Sequence, residues 1–390
     1  MLSLARKLWH RGQRLVLIEG FYFDRPLVLL QSDDWGRVGL RDHEGLELLK
    51  AAGLDCGERP YDFYTLEQAE DVTSLFELLL RHRDSNGRSA CVGMNFITAN
   101  VDFAAAEKCG FRAIRFRPLA DGFPEGWVRP GLLEAYRRGI EDGVFYPALH
   151  GHSHFCQAAV LRYLSDAGER GQLLRTLWRA GTPYIHWRMP WVGYEYWDPE
   201  LSREKRFLSS IEQAGSIRHS AEMFFRLFSH RPLSACAPGY RANRDTHKAW
   251  MQQGIQVAQN GPQAGMHPHV DREGLLNLYR TIDFEPGDSF SMEECLRKAD
   301  ESIARGVPLI VSVHSINFHS SVRNFRDPTL RLLDQFLSKL ESKYPNLLYL
   351  HDGDLRALVD SGFYESQGRV NVGVRKLKLN DRNGAAESQA

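Results

Sequence analysis

The stretch "RPLVLLQSDDWG" (residues 25–36) decides how the chain is read. Four aliphatic residues, Leu27 to Leu30, pass without alternation into Gln31, Ser32 and two adjacent carboxylates, Asp33 and Asp34. A short apolar run bounded by turn residues is the pattern of a strand buried on both faces, as in parallel sheets. Two neighbouring carboxylates at its end repel each other, so something must offset that repulsion.

The pattern recurs along the chain. "SACVGMNFITAN" (89–100), "GVFYPALHGHSH" (143–154), "RPLSACAPGY" (231–240), "GIQVAQNG" (254–261), "LLNLYRTIDFEP" (275–286), "VPLIVSVHSINF" (307–318) and "NLLYLHDGD" (346–354) each predict a buried strand ending in polar or ionisable residues. Between them, residues 44–53, 68–84, 131–143, 209–230, 291–306 and 328–344 carry apolar residues at helical spacing. Strands alternating with helices predict an α/β fold with a parallel sheet or barrel. No repeat of fixed period is present. Residues 155–208 depart from the pattern; rich in Trp, Tyr, Arg and Pro, they predict an insertion on a barrel domain spanning 1–365. The tail, 366–390, is polar, and its last ten residues are expected to be disordered.

Composition narrows the function. The chain has 390 residues, 43% hydrophobic and 25% charged, as globular proteins do. Its 49 basic and 49 acidic residues balance, which gives no electrostatic reason to expect nucleic acid or an anionic membrane as principal partner. The apolar runs are too short to span a membrane. The basic N-terminus lacks the apolar core and cleavage site of a signal peptide. Six cysteines without a CxxC pair fit a reducing compartment, so a cytoplasmic location is expected.

In α/β sheets and barrels, active-site groups gather at the C-terminal ends of strands. Asp33, Asp34, the "HGHSH" of 150–154 and His314 all fall there. A turn between His150 and His154 would place both imidazoles on one side. Neutral imidazole suits Zn, Co, Ni or Fe, and one carboxylate completes a three-ligand set with open positions. A divalent cation would also offset the repulsion between the aspartates. Simpler roles exist for each group alone: paired aspartates cap helices, histidine clusters occur in polar loops, and a lone histidine in an apolar strand packs in the core. Their coincidence at strand ends favours the metal site.

These motifs, in this order, resemble the polysaccharide deacetylase superfamily, carbohydrate esterase family 4 and relatives. Its first motif, Thr-Phe-Asp-Asp-Gly, corresponds to Ser32-Asp33-Asp34-Trp35-Gly36, with a Trp inserted before the Gly. Its HGxSH motif corresponds to "HGHSH" (150–154), and its late apolar strand ending in His to "LIVSVHSINF". Its Arg-x-Pro motif corresponds to "CAPGY" (236–240), with Cys236 in place of the Arg. The resemblance implies a distorted (β/α) barrel of about seven strands. It also implies metal-dependent removal of an acetyl or similar acyl group from a carbohydrate or glycan precursor. Carried over by position, Asp33 is the general base, His314 the general acid, and Asp34, His150 and His154 the ligands of one divalent transition metal, zinc first.

Cys236 cannot make the ion pair by which the family's Arg orients the base; Arg241 and Arg244 are the candidates to replace it. Trp35, Tyr240, Arg241 and Asp283 are candidate substrate contacts, and Asp283 and Glu285 are nearby acids suited to orientation. Trp187, Trp191, Tyr194, Tyr196 and Trp197 offer faces suited to sugar rings or to packing. Two rival readings stay open. One is a glycoside-processing enzyme pairing Asp33 with Asp283 or Glu285, whose carboxyls would lie about 5–9.5 Å apart. The other is a carbohydrate-binding module without catalysis on the same fold.

Overall fold

A computed structural model describes residues 17–183, 189, 191–263 and 266–380. One sheet organises them. Its strands are β1 (Leu17–Phe23), β2 (Leu27–Trp35), β3 (Val92–Phe96), β4 (Phe145–Leu149), β5 (Ser234–Cys236), β6 (Val257–Asn260), β7 (His269–Val270), β8 (Leu276–Tyr279), β9 (Ile282–Asp283), β10 (Leu309–His314), β11 (Leu348–Tyr349) and β12 (Val374–Asn380). Each predicted apolar run contributes a strand, and "LLNLYRTIDFEP" contributes two. The predicted helices form as Ala69–Arg81, Leu132–Glu141, Ser210–Phe228, Met292–Ala304 and Arg326–Lys343, with His43–Ala51 before them.

From β10 through β2, β3, β4, β5 and β6 to β8 every pairing is parallel. β8 lies beside β6, whereas β9, two residues later, lies beside β10. Counting that split run as one member, the sheet curls into a distorted (β/α) barrel of seven. β7, β1 and β12 extend it as antiparallel strands outside the ring. Residues 369–371 and 374–380 of the polar tail thus lie in strands, while 381–390 lie outside the described residues.

Strand alternation fills the barrel in layers. Leu27 and Leu29 of β2, Leu276 and Leu278 of β8, and Ile310 of β10 form an apolar floor with Leu355 and Leu358 of the helix Asp352–Ser361. Val28 and Leu30, on the opposite face of β2, join the larger core under the outer helices. Above the floor, the same interior phase brings polar residues. Gln31 and Gln259 both donate to Asp352, at 2.8 and 2.6 Å, and Asn95 and Gln259 bond each other. The next step in phase is Asp33 on β2, paired in register with His314 on β10.

The stretch 155–208 carries two helices, Gln157–Ser165 and Glu169–Arg179. Trp178, Trp191 and Tyr196 are 1–2% exposed, so these aromatics hold the stretch against the barrel. Among the described residues no helix is long and apolar enough to cross a membrane.

Candidate active site

The pairing of β2 with β3 slips between Ser32 and Trp35, and Asp34 takes a left-handed backbone, φ 74°. The slip breaks the strand's alternation just where the two acids sit. Asp34 Oδ1 lies 3.0 Å from His154 Nε2 and 3.4 Å from His150 Nε2. The histidine Nδ1 atoms face carbonyls, His150 that of Cys236 at 2.9 Å and His154 that of Val192 at 3.1 Å. A carbonyl only accepts, so each Nδ1 carries a proton and a neutral ring keeps its Nε2 lone pair. Asp34 Oδ1 is buried and no hydrogen bond satisfies it. Three donor atoms thus converge, the outer nitrogens of the histidines fixed by backbone carbonyls and Asp34 Oδ2 by Arg37. That donor set fits a divalent transition metal. Burial, with Arg37 nearby, pushes His154 down to about 4. At His150 burial acts the same way, but Asp33 and Asp34 outweigh it and raise the pKa, so a cation there competes with a proton.

The repulsion between the aspartates is offset by arginine as well. Arg37 Nη1 lies 2.8 Å from Asp34 Oδ2, both side chains 2–3% exposed. Arg280 grips both oxygens of Asp33, Nη2 to Oδ1 at 2.6 Å and Nη1 to Oδ2 at 2.7 Å. Asn95 Nδ2 donates to Oδ1 at 2.5 Å, and Tyr240 Oη stands 3.5 Å from Oδ2. Burial opposes ionisation of both acids; Arg280 at Asp33 and Arg37 at Asp34 override it and hold both carboxyls well below the usual range.

Arg280 corrects the expectation for Arg241 and Arg244. Arg241 lies over Trp197, 4.8 Å from the ring centroid, and near Tyr194. Arg244 is paired with Glu273 at the surface. Arg280 follows Leu276 and Leu278 in the interior phase, at the break between β8 and β9; that phase was the signal in the sequence. Cys236 lies beside the pair, and burial and Asp33 push its thiol up, away from a nucleophilic role.

His314 closes the other side. Its Nδ1 lies 2.7 Å from Glu285 Oε1, which also accepts its backbone N–H, and Asn317 bonds the other Glu285 oxygen. Burial would lower this imidazole, but Glu285 dominates with Asp33 behind it, and the pKa is pushed up to about 9. His314 Nε2 stands 3.9 Å from Asp33 Oδ2. The Tyr61 ring meets His314 edge-on, and beyond it lies an open cleft lined by Arg37, Leu40, Leu46, Leu49, Tyr61 and Tyr64.

Two predicted substrate contacts are elsewhere. Trp35 is 0% exposed and stacks on Phe318, because the slip turns the extra residue of the motif into the core. Asp283 is exposed, since it alternates with the buried Ile282 and Phe284, and the acid that reaches His314 is Glu285. Trp191 and Tyr196 are core residues, Tyr194 and Trp197 stand with Arg241, and Trp187 lies outside the described residues. His152 packs on Phe116 and His219, held down at about 3 mainly by burial, and His319 pairs with buried Glu67; neither joins the donor set. Glu67 also accepts the Gly36 N–H at 2.8 Å, anchoring the turn after Asp34.

No family model matches the sequence and no curated protein matches it. Solved structures do. A protein assigned as a polysaccharide deacetylase from Mycobacterium smegmatis is 11% identical, over 86% of this chain and 90% of that one, with a TM-score of 0.47. A family 4 carbohydrate esterase from Streptomyces lividans, in complex with acetate, is 10% identical over 84% and 93%, TM-score 0.35. A family 4 pseudoenzyme from Bacillus anthracis is 10% identical over 83% and 63%, TM-score 0.34. The structures this chain is similar to include polysaccharide deacetylases of carbohydrate esterase family 4. These identities are too low to carry an activity across, so the chemistry of this chain rests on its own side chains.

Proposed function

We propose that the protein is a metal-dependent hydrolase that removes an acetyl or similar acyl group from a carbohydrate or glycan precursor. The observation that carries this reading is the convergence of Asp34 Oδ1, His150 Nε2 and His154 Nε2, with the Asp33 carboxylate and the His314 imidazole side by side next to it. Those three residues would hold one divalent transition metal, zinc first with cobalt, nickel or iron as alternatives; when bound it polarises an acyl carbonyl and acidifies water. Asp33 takes the proton of the attacking water, and Arg280 and Asn95 fix where its oxygens stand. His314, kept protonated by Glu285, gives a proton from Nε2 to the leaving nitrogen or oxygen. Asp33 gains one proton and His314 loses one, so the net charge of the site is unchanged across the bond cleavage.

The two acids offered for the two-carboxylate alternative are not placed beside Asp33 as free partners. Asp283 is exposed, and Glu285 is committed to His314 and Asn317. Tyr194, Trp197 and Arg241 form an aromatic and cationic wall near Tyr240, suited to a sugar face.

The test is elemental mass spectrometry of protein purified without added metal or chelator, beside His150→Ala, followed by acetate release from a panel of acetylated sugars. About one transition metal per chain, lost in the variant, together with acetate release is expected. Absence of metal even after reloading, or metal binding without any deacylation across the panel, would sink the reading.

A further inference from the structure

Glu195 is a carboxylate that the chemistry above leaves unused. It is 2% exposed and lies in the aromatic stretch ahead of the helix Ser210–Phe228. Its oxygens accept the backbone N–H of His152 at 2.8 and 2.9 Å, of Ser153 at 3.1 Å and of His154 at 3.2 Å. Ser216 Oγ donates to it at 2.9 Å. All three amides belong to the loop that joins the two histidine donors.

That loop has a shape side-chain-bearing residues avoid. Gly151 has φ 79° and His154 has φ 61°. Left-handed backbone at a non-glycine residue persists only where the surroundings enforce it. Consecutive amides turned to one side form a concave cradle for an anion, and here the anion is Glu195. The fit is tight enough to dictate the glycine: a Cβ on Gly151 would collide with Glu195 Oε2. The third donor has a counterpart, since Glu67 holds the Gly36 amide beside Asp34.

We infer that Glu195 is the positioning residue of the metal centre. Its carboxylate gathers the amides of residues 152–154, holds His154 in its left-handed conformation, and so fixes His154 Nε2 relative to His150 Nε2. It acts through the backbone and touches neither imidazole. This rests on the metal reading of the site.

The experiment measures zinc affinity by chelator competition for the full chain, Glu195→Gln and Ser216→Ala, with the unfolding midpoint of each metal-free protein. Glu195→Gln keeps the volume but turns one acceptor into a donor facing backbone N–H groups. Its zinc affinity is expected to fall about 10–100-fold, the usual range for residues that orient ligands. Ser216→Ala removes one bond to Glu195 at a distance from the histidines, and a smaller loss, roughly 2–5-fold, is expected. The metal-free midpoint of Ser216→Ala should stay near that of the parent, which a merely structural role would not combine with lost affinity. Parent-like zinc affinity in Glu195→Gln overturns the inference. Should that variant not fold, unchanged affinity in Ser216→Ala overturns it alone. A parent chain that binds no metal brings down the metal reading itself, a different result.

Discussion

Arg280 and Asp33 are 247 residues apart in the chain and meet through two parallel hydrogen bonds of 2.6 and 2.7 Å, both side chains buried. The pair decides what Asp33 can do. An unpaired carboxylate at that depth would protonate; gripped by a planar guanidinium, it stays ionised and cannot rotate. The first prediction follows. Arg280→Met strips the buried Asp33 of its cation, so that the carboxylate must protonate or stay uncompensated, and stability is expected to fall by about 3–5 kcal/mol. Arg280→Lys supplies a point charge without the fork and should keep much of the stability while lowering kcat at least about tenfold. Urea unfolding and acetate release separate the two effects. Equal kcat in Arg280→Lys and the parent would show that the fork does not orient the base.

The second prediction concerns pH. In the proposed reaction His314 must be protonated to act as the acid, and its pKa is pushed up to about 9, with Glu285 the main cause that opposes burial. Activity should therefore hold through neutral pH and decline as pH rises through about 9. Asp33 and Asp34 are held well below the usual range, so neither sets that alkaline limb. Glu285→Gln removes the stabilising charge while keeping the shape, and the limb should move to lower pH, toward or below the ordinary value of about 6.5. A kcat profile between pH 5 and pH 10, the span of roughly the histidine range and beyond, reads it. An alkaline limb that stays in place in Glu285→Gln would rule out His314 as the group behind it.

The two arginines at the site mark how far the sequence could be read. Parallel strands buried on both faces show as unbroken apolar runs, so β2, β3, β4, β6 and β10 were legible from Leu, Val, Ile and Phe alone. Asp34, His150 and His154 were legible because polar groups at the ends of such runs are costly unless used. Arg280 was harder, because no local spacing ties it to Asp33; only its phase with Leu276 and Leu278 placed it inside the barrel. Trp35 was misjudged for a related reason. Beside two acids it has the composition of a sugar platform, and only the slip of β2 against β3 sends it into the core. β12 is not legible in the sequence because Lys376 and Lys378 interrupt its apolar residues, as suits a strand at the open edge of the sheet.

The third prediction uses the metal as a ligand of the folded state. A cation held only by the folded protein stabilises it by mass action, about 2.7 kcal/mol at a free concentration of 100 Kd. Dialysis against a strong chelator should lower the unfolding midpoint, and zinc should restore it. Asp34→Asn should abolish the shift, because the variant lacks the charged carboxylate that supplies the third donor. Calorimetry with and without zinc checks this. A zinc-dependent rise in Asp34→Asn equal to that of the parent would remove Asp34 from the donor set.

The last prediction separates two tryptophans that the sequence treats alike. Trp35 is 0% exposed, stacked on Phe318 and edge-on to Tyr136. Its truncation to Ala should cost about 3–5 kcal/mol as a buried aromatic, and Trp35→Phe considerably less, with KM for the sugar substrate unchanged in the Phe variant. Trp197 is 9% exposed and carries Arg241 over its ring at 4.8 Å, beside Tyr194. Trp197→Ala removes the ring under Arg241 and opens the wall, so in the proposed reaction KM should rise several-fold while Asp33, Asp34, His150, His154 and His314 stay in place. Steady-state kinetics with one acetylated sugar, beside thermal unfolding of both variants, distinguishes them. A raised KM in Trp35→Phe would return that residue to the substrate side of the slip. An unchanged KM in Trp197→Ala would make the 155–208 aromatics packing residues throughout.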